Sequence, residues 1–305
     1  MYISRLVAIF FISFTVFSYC LYADQLSEDS KGAHQKYYNK CIIKQGPEEP
    51  KIIDKLLCGI KDKFLFLRSE KKPWKSLLVI YPKTNVLYKK DGKQYRYKGE
   101  LTTDEIEAVL NSYYHFKGLV EDVLDDDVEM KLKSIVIKDR VITKITEEKP
   151  KGNKKDYTYK FTIDDAWDDI KEYVEGNHYD SIFIHWKKGD IPARGWGLGS
   201  LKKKDKERFT FATLTEAPVS SWQRPTVGEP FLHEWLHGVS RFYDKKIGVK
   251  LPDRNADGAE IYGYERDPKA GWMDYYRDLM TEQVVDENGE KLGIPKRVWK
   301  KRPSD

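Results

Sequence analysis

The chain has 305 residues, 40% hydrophobic and 34% charged, which excludes both a membrane bundle and a disordered tail. Its 54 basic and 49 acidic residues leave a net charge of only +5, a balance that offers no focused field for nucleic acid.

In chain order, Arg5 precedes an uncharged stretch, residues 6–23, rich in Phe, Ile and Val, with the small Ala23 before the polar Asp24. A basic start, an apolar run and a small residue predict a secretory signal peptide over residues 1–23. The chain is then expected in a secreted, periplasmic or cell-surface location, with no stable membrane association after cleavage. A retained anchor is the alternative, because the run approaches the length that spans a bilayer. Cys20 does not suit lipidation, since bulky Tyr19 precedes it. Residues 24–60 read as an N-terminal extension, in which Cys41 and Cys58 are expected to form a disulfide in an oxidising compartment.

The apolar run Leu77-Leu78-Val79-Ile80-Tyr81, stopped by Pro82, predicts a short strand. Residues 86–98 alternate around Asp91-Gly92, a hairpin signal. Thr103 before Asp104-Glu105 predicts a capped helix running to Val123. A β-branched stretch from Ile135 to Ile145 follows, then a Lys-rich loop over 149–156. Thr162, with Asp164 and Asp165 in the first turn, predicts a second helix over 163–174, ended by Gly176-Asn177. Ser181-Ile182-Phe183-Ile184 reads as a fully buried strand and the three glycines within 194–200 as a loop. The stretch 209–214 predicts a further strand, placed at the sheet edge. Gly228-Glu229-Pro230 then opens a helix, with Pro230 in its first turn. This order predicts an α+β domain with a mixed sheet and a buried active-site helix.

That last helix carries His233-Glu234-Trp235-Leu236-His237. Residues i and i+4 share a helix face, so the two imidazoles project together and can share one zinc ion. Glu234, offset by about 100° around the helix, lies beside the metal, not on it. There it can take a proton from a zinc-activated water and pass it to the leaving group. The flanks Phe231, Leu232, Trp235, Leu236, Gly238 and Val239 carry no charge, whereas a chance occurrence on a surface helix would normally include one.

The segment 228–282, from Gly-Glu-Pro-Phe-Leu-His-Glu-Trp-Leu-His-Gly through Asp257-Gly258-Ala259-Glu260 to Tyr275-Tyr276-Arg277-Asp278-Leu279-Met280, resembles zincin metallopeptidases of the gluzincin type, and within them a group of uncharacterised secreted bacterial zincins. The blocks 179–184 and 195–198 extend the likeness to roughly residues 100–282. The resemblance implies a zincin-like catalytic domain over 61–305 and one catalytic Zn²⁺, but no particular substrate. The metzincin pattern fails, because Ser240 and Tyr243 occupy its Gly and ligand positions. Thermolysin-like zincins complete their site with a Glu from a later helix, which points to Glu260, 23 residues after His237. Asp257 and Asp244 are the alternatives. For the oxyanion formed in peptide hydrolysis, Tyr276 is the leading donor, with Tyr275, Tyr264 and Arg277 behind it. Asp278 is a candidate to orient a histidine, and His185 reads as a core residue.

These residues predict a secreted zinc metallopeptidase acting on protein or peptide substrates, with no nucleic-acid partner. A zincin-fold binding or adhesion protein without turnover and a zinc amidase acting on cell-wall or glycan-linked amides are the competing readings.

Overall fold

A computed structural model describes residues 72–125, 127–148, 158–193, 200–215 and 226–305. The signal segment, the extension with Cys41 and Cys58, and the loops at 149–156 and 194–199 lie outside the described residues. Residues Lys71–Asp305 form one unit, and its architecture is α+β, with a mixed central sheet.

The first strand, β1 (Trp74–Tyr81), is followed by the hairpin β2 (Lys83–Lys90) and β3 (Lys93–Glu100). Asp91 and Gly92 both take positive φ at its turn, as a two-residue hairpin loop requires. Helix α1 (Thr103–Val123) comes next. Its cap is Thr102, one residue earlier than the sequence suggested: the Thr102 hydroxyl accepts from Glu105 N while Glu105 Oε2 accepts from Thr102 N. A Thr three residues before a Glu closes this reciprocal box, and Thr103 stands one residue too near. Then follow β4 (Met130–Val136), the short β5 (Val141–Ile142), β6 (Thr146–Glu148) and β7 (Thr158–Lys160). Helix α2 (Ile163–Val174) is capped by Thr162, as predicted. Strands β8 (Ser181–Trp186), β9 (Ser200–Lys204) and β10 (Glu207–Thr215) lead to α3 (Glu229–Phe242), α4 (Met273–Met280) and the small pair β11 (Val284–Val285) and β12 (Lys291–Leu292).

The central sheet runs β4-β1-β8-β10-β9, parallel except for β9, which pairs antiparallel with β10. The stretch 209–214 is therefore not the edge. That place belongs to β9, whose Lys202-Lys203-Lys204 gives it the charged character of an edge strand. Both faces of β1 and β8 are covered, which explains their unbroken apolar runs. On one face Leu78, Ile80 and Phe183 pack with α1, α3 and α4. On the other Leu77, Val79, Ile182 and Ile184 pack with α2 and the hairpin.

The final residues close the first of these layers. Trp299 stacks on Trp235, with ring centroids 5.5 Å apart and planes 19° apart, and its backbone oxygen accepts from Trp74 Nε1 at 3.1 Å. Arg302 Nη1 donates to Pro73 O at 2.7 Å, and Ser304 Oγ donates to the buried Asp180 carboxylate at 2.6 Å. Among the described residues no helix is long and apolar enough to cross a membrane.

Candidate metal centre

The histidine helix is fixed before its front face is considered. Gly228 starts α3 with φ +99°, and a Cβ there would lie 2.6 Å from the Phe116 backbone nitrogen, so only glycine lets α3 begin against α1. Phe231, Leu232, Trp235, Leu236 and Val239 are buried against the sheet and α1. The uncharged flanks of the motif are thus the helix's core face. Trp235 Nε1 donates to Ser181 Oγ at 2.9 Å, and that hydroxyl also accepts from Thr210 Oγ1 at 2.9 Å. A Cβ on Gly238 would come within 2.7 Å of Thr210 Cβ and 3.3 Å of Ser200 O, so α3 lies tightly on β9 and β10 there.

On the front face the two imidazoles meet. His233 Nε2 and His237 Nε2 are 3.2 Å apart, their rings nearly perpendicular at 88°. Asp257 faces both, with Oδ1 3.4 Å from His233 Nε2 and Oδ2 3.5 Å from His237 Nε2. These three side chains form the one group with metal-ligand spacing among the described residues. Atoms 3.2–3.5 Å apart, taken as edges of a tetrahedron, lie about 2.0–2.1 Å from its centre, the bond length zinc makes to imidazole nitrogen and carboxylate oxygen. The donor set fits a zinc ion. Burial, reinforced for His233 by the facing His237, holds both imidazoles below their usual pKa against the pull of Asp257. Both are therefore neutral near pH 7, the form that ligates metal.

Glu234 lies beside this group with Oε1 3.9 Å from His233 Nε2, its side chain only 6% exposed. It is close enough to serve the site and turned so that it does not occupy a ligand position.

Asp257 owes its place to a braced loop. Arg254 and Asn255 both take positive φ, and the turn Asn255–Asp257 follows directly. The Tyr275 hydroxyl donates to Asn255 O, and Tyr262 OH accepts from Asp253 N at 2.8 Å. Glu260, the expected third ligand, lies on the next turn, Ala259–Tyr262, with its side chain exposed. The physical reason is local: two successive tight turns rotate Glu260 away after Asp257 has been presented. Asp244 is exposed and paired with Lys245 at 3.5 Å.

Tyr276, expected as an oxyanion donor, reaches the site. Its hydroxyl is 2.8 Å from His233 Nδ1, the ring nitrogen turned away from His237 and Asp257. Burial, then the charge of Glu229, pushes its pKa well above the usual range, so the hydroxyl keeps its proton. In this position the hydroxyl is hydrogen-bonded to the imidazole on the side away from His237 and Asp257. The other donors are engaged elsewhere: Tyr264 OH with Asp278 at 2.6 Å, and Arg277 with Asp274 at 2.8 Å. Asp278 is thereby tied to Tyr264 and makes no bond to either site histidine. His185 is wholly buried in β8, as read from the sequence, and burial holds its pKa at about 3.

One contributor escaped the sequence reading. Glu229, 5% exposed, accepts from Trp272 N at 3.1 Å and fills the space where Gly271 would carry a side chain. It ties the start of α3 to the start of α4, and so sets Tyr276 against His233. An acid placed directly before Pro230, among apolar neighbours, was the available signal.

Neither a scan against protein-family models nor searches of curated proteins and of solved structures finds a match to this chain. What the site can do therefore follows from its donor set and spacing.

Proposed function

We propose that this chain is a secreted, zincin-like zinc hydrolase that cleaves peptide bonds. The observation that supports it most is the spacing of His233, His237 and Asp257, three donors set for one tetrahedral ion, with the buried Glu234 carboxylate alongside. In this reading His233 and His237 hold zinc with Asp257 as the third ligand, in place of Glu260. When bound, zinc supplies a Lewis acid able to make water nucleophilic near pH 7.

Glu234 then acts as general base. It accepts the proton of the attacking water and delivers it to the leaving nitrogen, which requires a carboxylate near the ion but outside its ligand set. Tyr276 holds the His233 ring so that Nε2, and not Nδ1, points into the site. The partly exposed imidazoles and the exposed Asp257 leave the front of the group open to a substrate, while α3's other face stays dry.

The test is metal analysis together with hydrolysis of a mixed protein digest. The exported chain should contain one zinc and cleave in a chelator-sensitive way. Glu234→Gln should retain the zinc and lose at least about a hundredfold in rate, the scale of a general base. A chain without metal, or a Glu234→Gln variant as active as wild type, refutes the proposal. A metal-loaded chain that cleaves no peptide would instead support a binding protein built on the same site.

A further inference from the structure

Glu229 is a buried acid that the hydrolytic scheme leaves unused. It stands four residues before His233, so α3 carries Glu229, His233 and His237 at intervals of four along one face. Its Oε1 accepts from Trp272 N at 3.1 Å. Gly271 makes room for the carboxylate, since a Cβ there would come within 2.4–2.6 Å of its three atoms.

A carboxylate taken out of water needs a positive partner. Glu229 makes no ion pair among the described residues. Its neighbours towards the site are neutral: Tyr276 keeps its proton, and burial holds His233 uncharged near pH 7. The negative charge of Glu229 nevertheless reaches both groups and opposes loss of a proton from each. The first turn of α3 favours an acid, but by much less than burying a charge costs. A dication held by His233 and its partners would supply the missing charge. Asp257 is exposed and screened by water, whereas the field of Glu229 reaches the ion through protein, where screening is weak.

We propose that Glu229 is a counter-charge for the metal ion, a positioning residue that strengthens its hold on His233, His237 and Asp257 without ligating it. This goes beyond the structural tie between α3 and α4, and it rests on the zinc reading of the site.

Two variants separate charge from structure. Glu229→Gln keeps an acceptor for Trp272 N and removes the charge; Glu229→Asp keeps the charge and draws it back from Trp272. Zinc affinity of the exported chain is measured by competition with a chromophoric chelator. Glu229→Gln should bind zinc about 10- to 100-fold more weakly than wild type, the scale on which residues behind the ligands act. Glu229→Asp should lose less than Glu229→Gln, whereas a purely structural tie predicts the reverse order. Melting of the metal-free chains is the control for folding. There Glu229→Gln should melt no lower than wild type, because it no longer buries an unpaired charge, and added zinc should raise its Tm less. Equal zinc affinity in wild type and Glu229→Gln, the reverse order of the two variants, or a lower metal-free Tm in Glu229→Gln overturns the counter-charge and leaves the peptidase reading standing. Charge-dependent zinc binding in a chain that cleaves no peptide sinks only the peptidase reading. A wild-type chain that takes up no zinc overturns both.

Discussion

His185 offers a prediction whose size can be worked out in advance. It is wholly buried in the middle of the sheet, and burial holds its pKa at about 3. In the unfolded chain it titrates near 6.5. Between these values the unfolded state binds a proton that the folded state refuses, so acid favours unfolding. The stability that depends on a neutral His185 is present above pH 6.5 and is lost as pH falls from about 6.5 towards 3. One pKa unit is worth about 1.4 kcal/mol, so going from pH 7.5 to 5.0 removes about 2 kcal/mol through this residue. The loss down to pH 5.0 is set by the unfolded value, because the folded group is still almost wholly neutral there. Urea titrations followed by tryptophan fluorescence at the two pH values measure it. His185→Met, similar in volume, should show a loss about 2 kcal/mol smaller than wild type between them, whatever its absolute stability. Other titrating groups are common to both proteins and cancel. Equal losses in the two proteins would refute the reasoning.

Asp257→Asn should abolish stoichiometric zinc, read by elemental analysis after dialysis, while Glu260→Gln should leave it intact; the reverse pattern would restore Glu260 as the ligand. Tyr276→Phe removes the partner of His233 Nδ1 and should weaken zinc binding about 10- to 100-fold in competition with a chromophoric chelator, the usual effect of losing such a contact. Trp299→Ala opens a cavity behind Trp235 and should lower unfolding stability by about 3–5 kcal/mol, measured by the shift in urea midpoint. A shift under about 1 kcal/mol would show that the tail does not brace the histidine helix.

The parts of the fold governed by local rules could be read directly. Thr162 with Asp165 three residues on fixes the start of α2, and Asp91-Gly92 fixes the hairpin. The unbroken apolar run at 77–81 announces a strand buried on both faces. The two histidines and Glu234 needed only helical spacing to be placed. Harder cases depended on tertiary neighbours. The lysines of β9 hide a strand that exists because β10 offers it an edge. That Asp257 and not Glu260 faces the two imidazoles turns on two left-handed residues, Arg254 and Asn255, and neither residue type announces such a conformation strongly. Tyr276 was singled out as an oxyanion donor, but that its hydroxyl meets His233 Nδ1 depends on how α4 packs against α3, and no spacing within one helix reveals that.

The wall behind the histidine helix is assembled from both extremities of the unit, since Trp74 and Trp299 clasp the indole of Trp235 while Arg302 and Ser304 fasten Pro73 and Asp180. The 3.2 Å gap between the imidazoles is therefore governed from afar. Trimming, tagging or modifying either extremity of the unit should therefore shift how the two imidazoles face Asp257 without touching any of the three side chains.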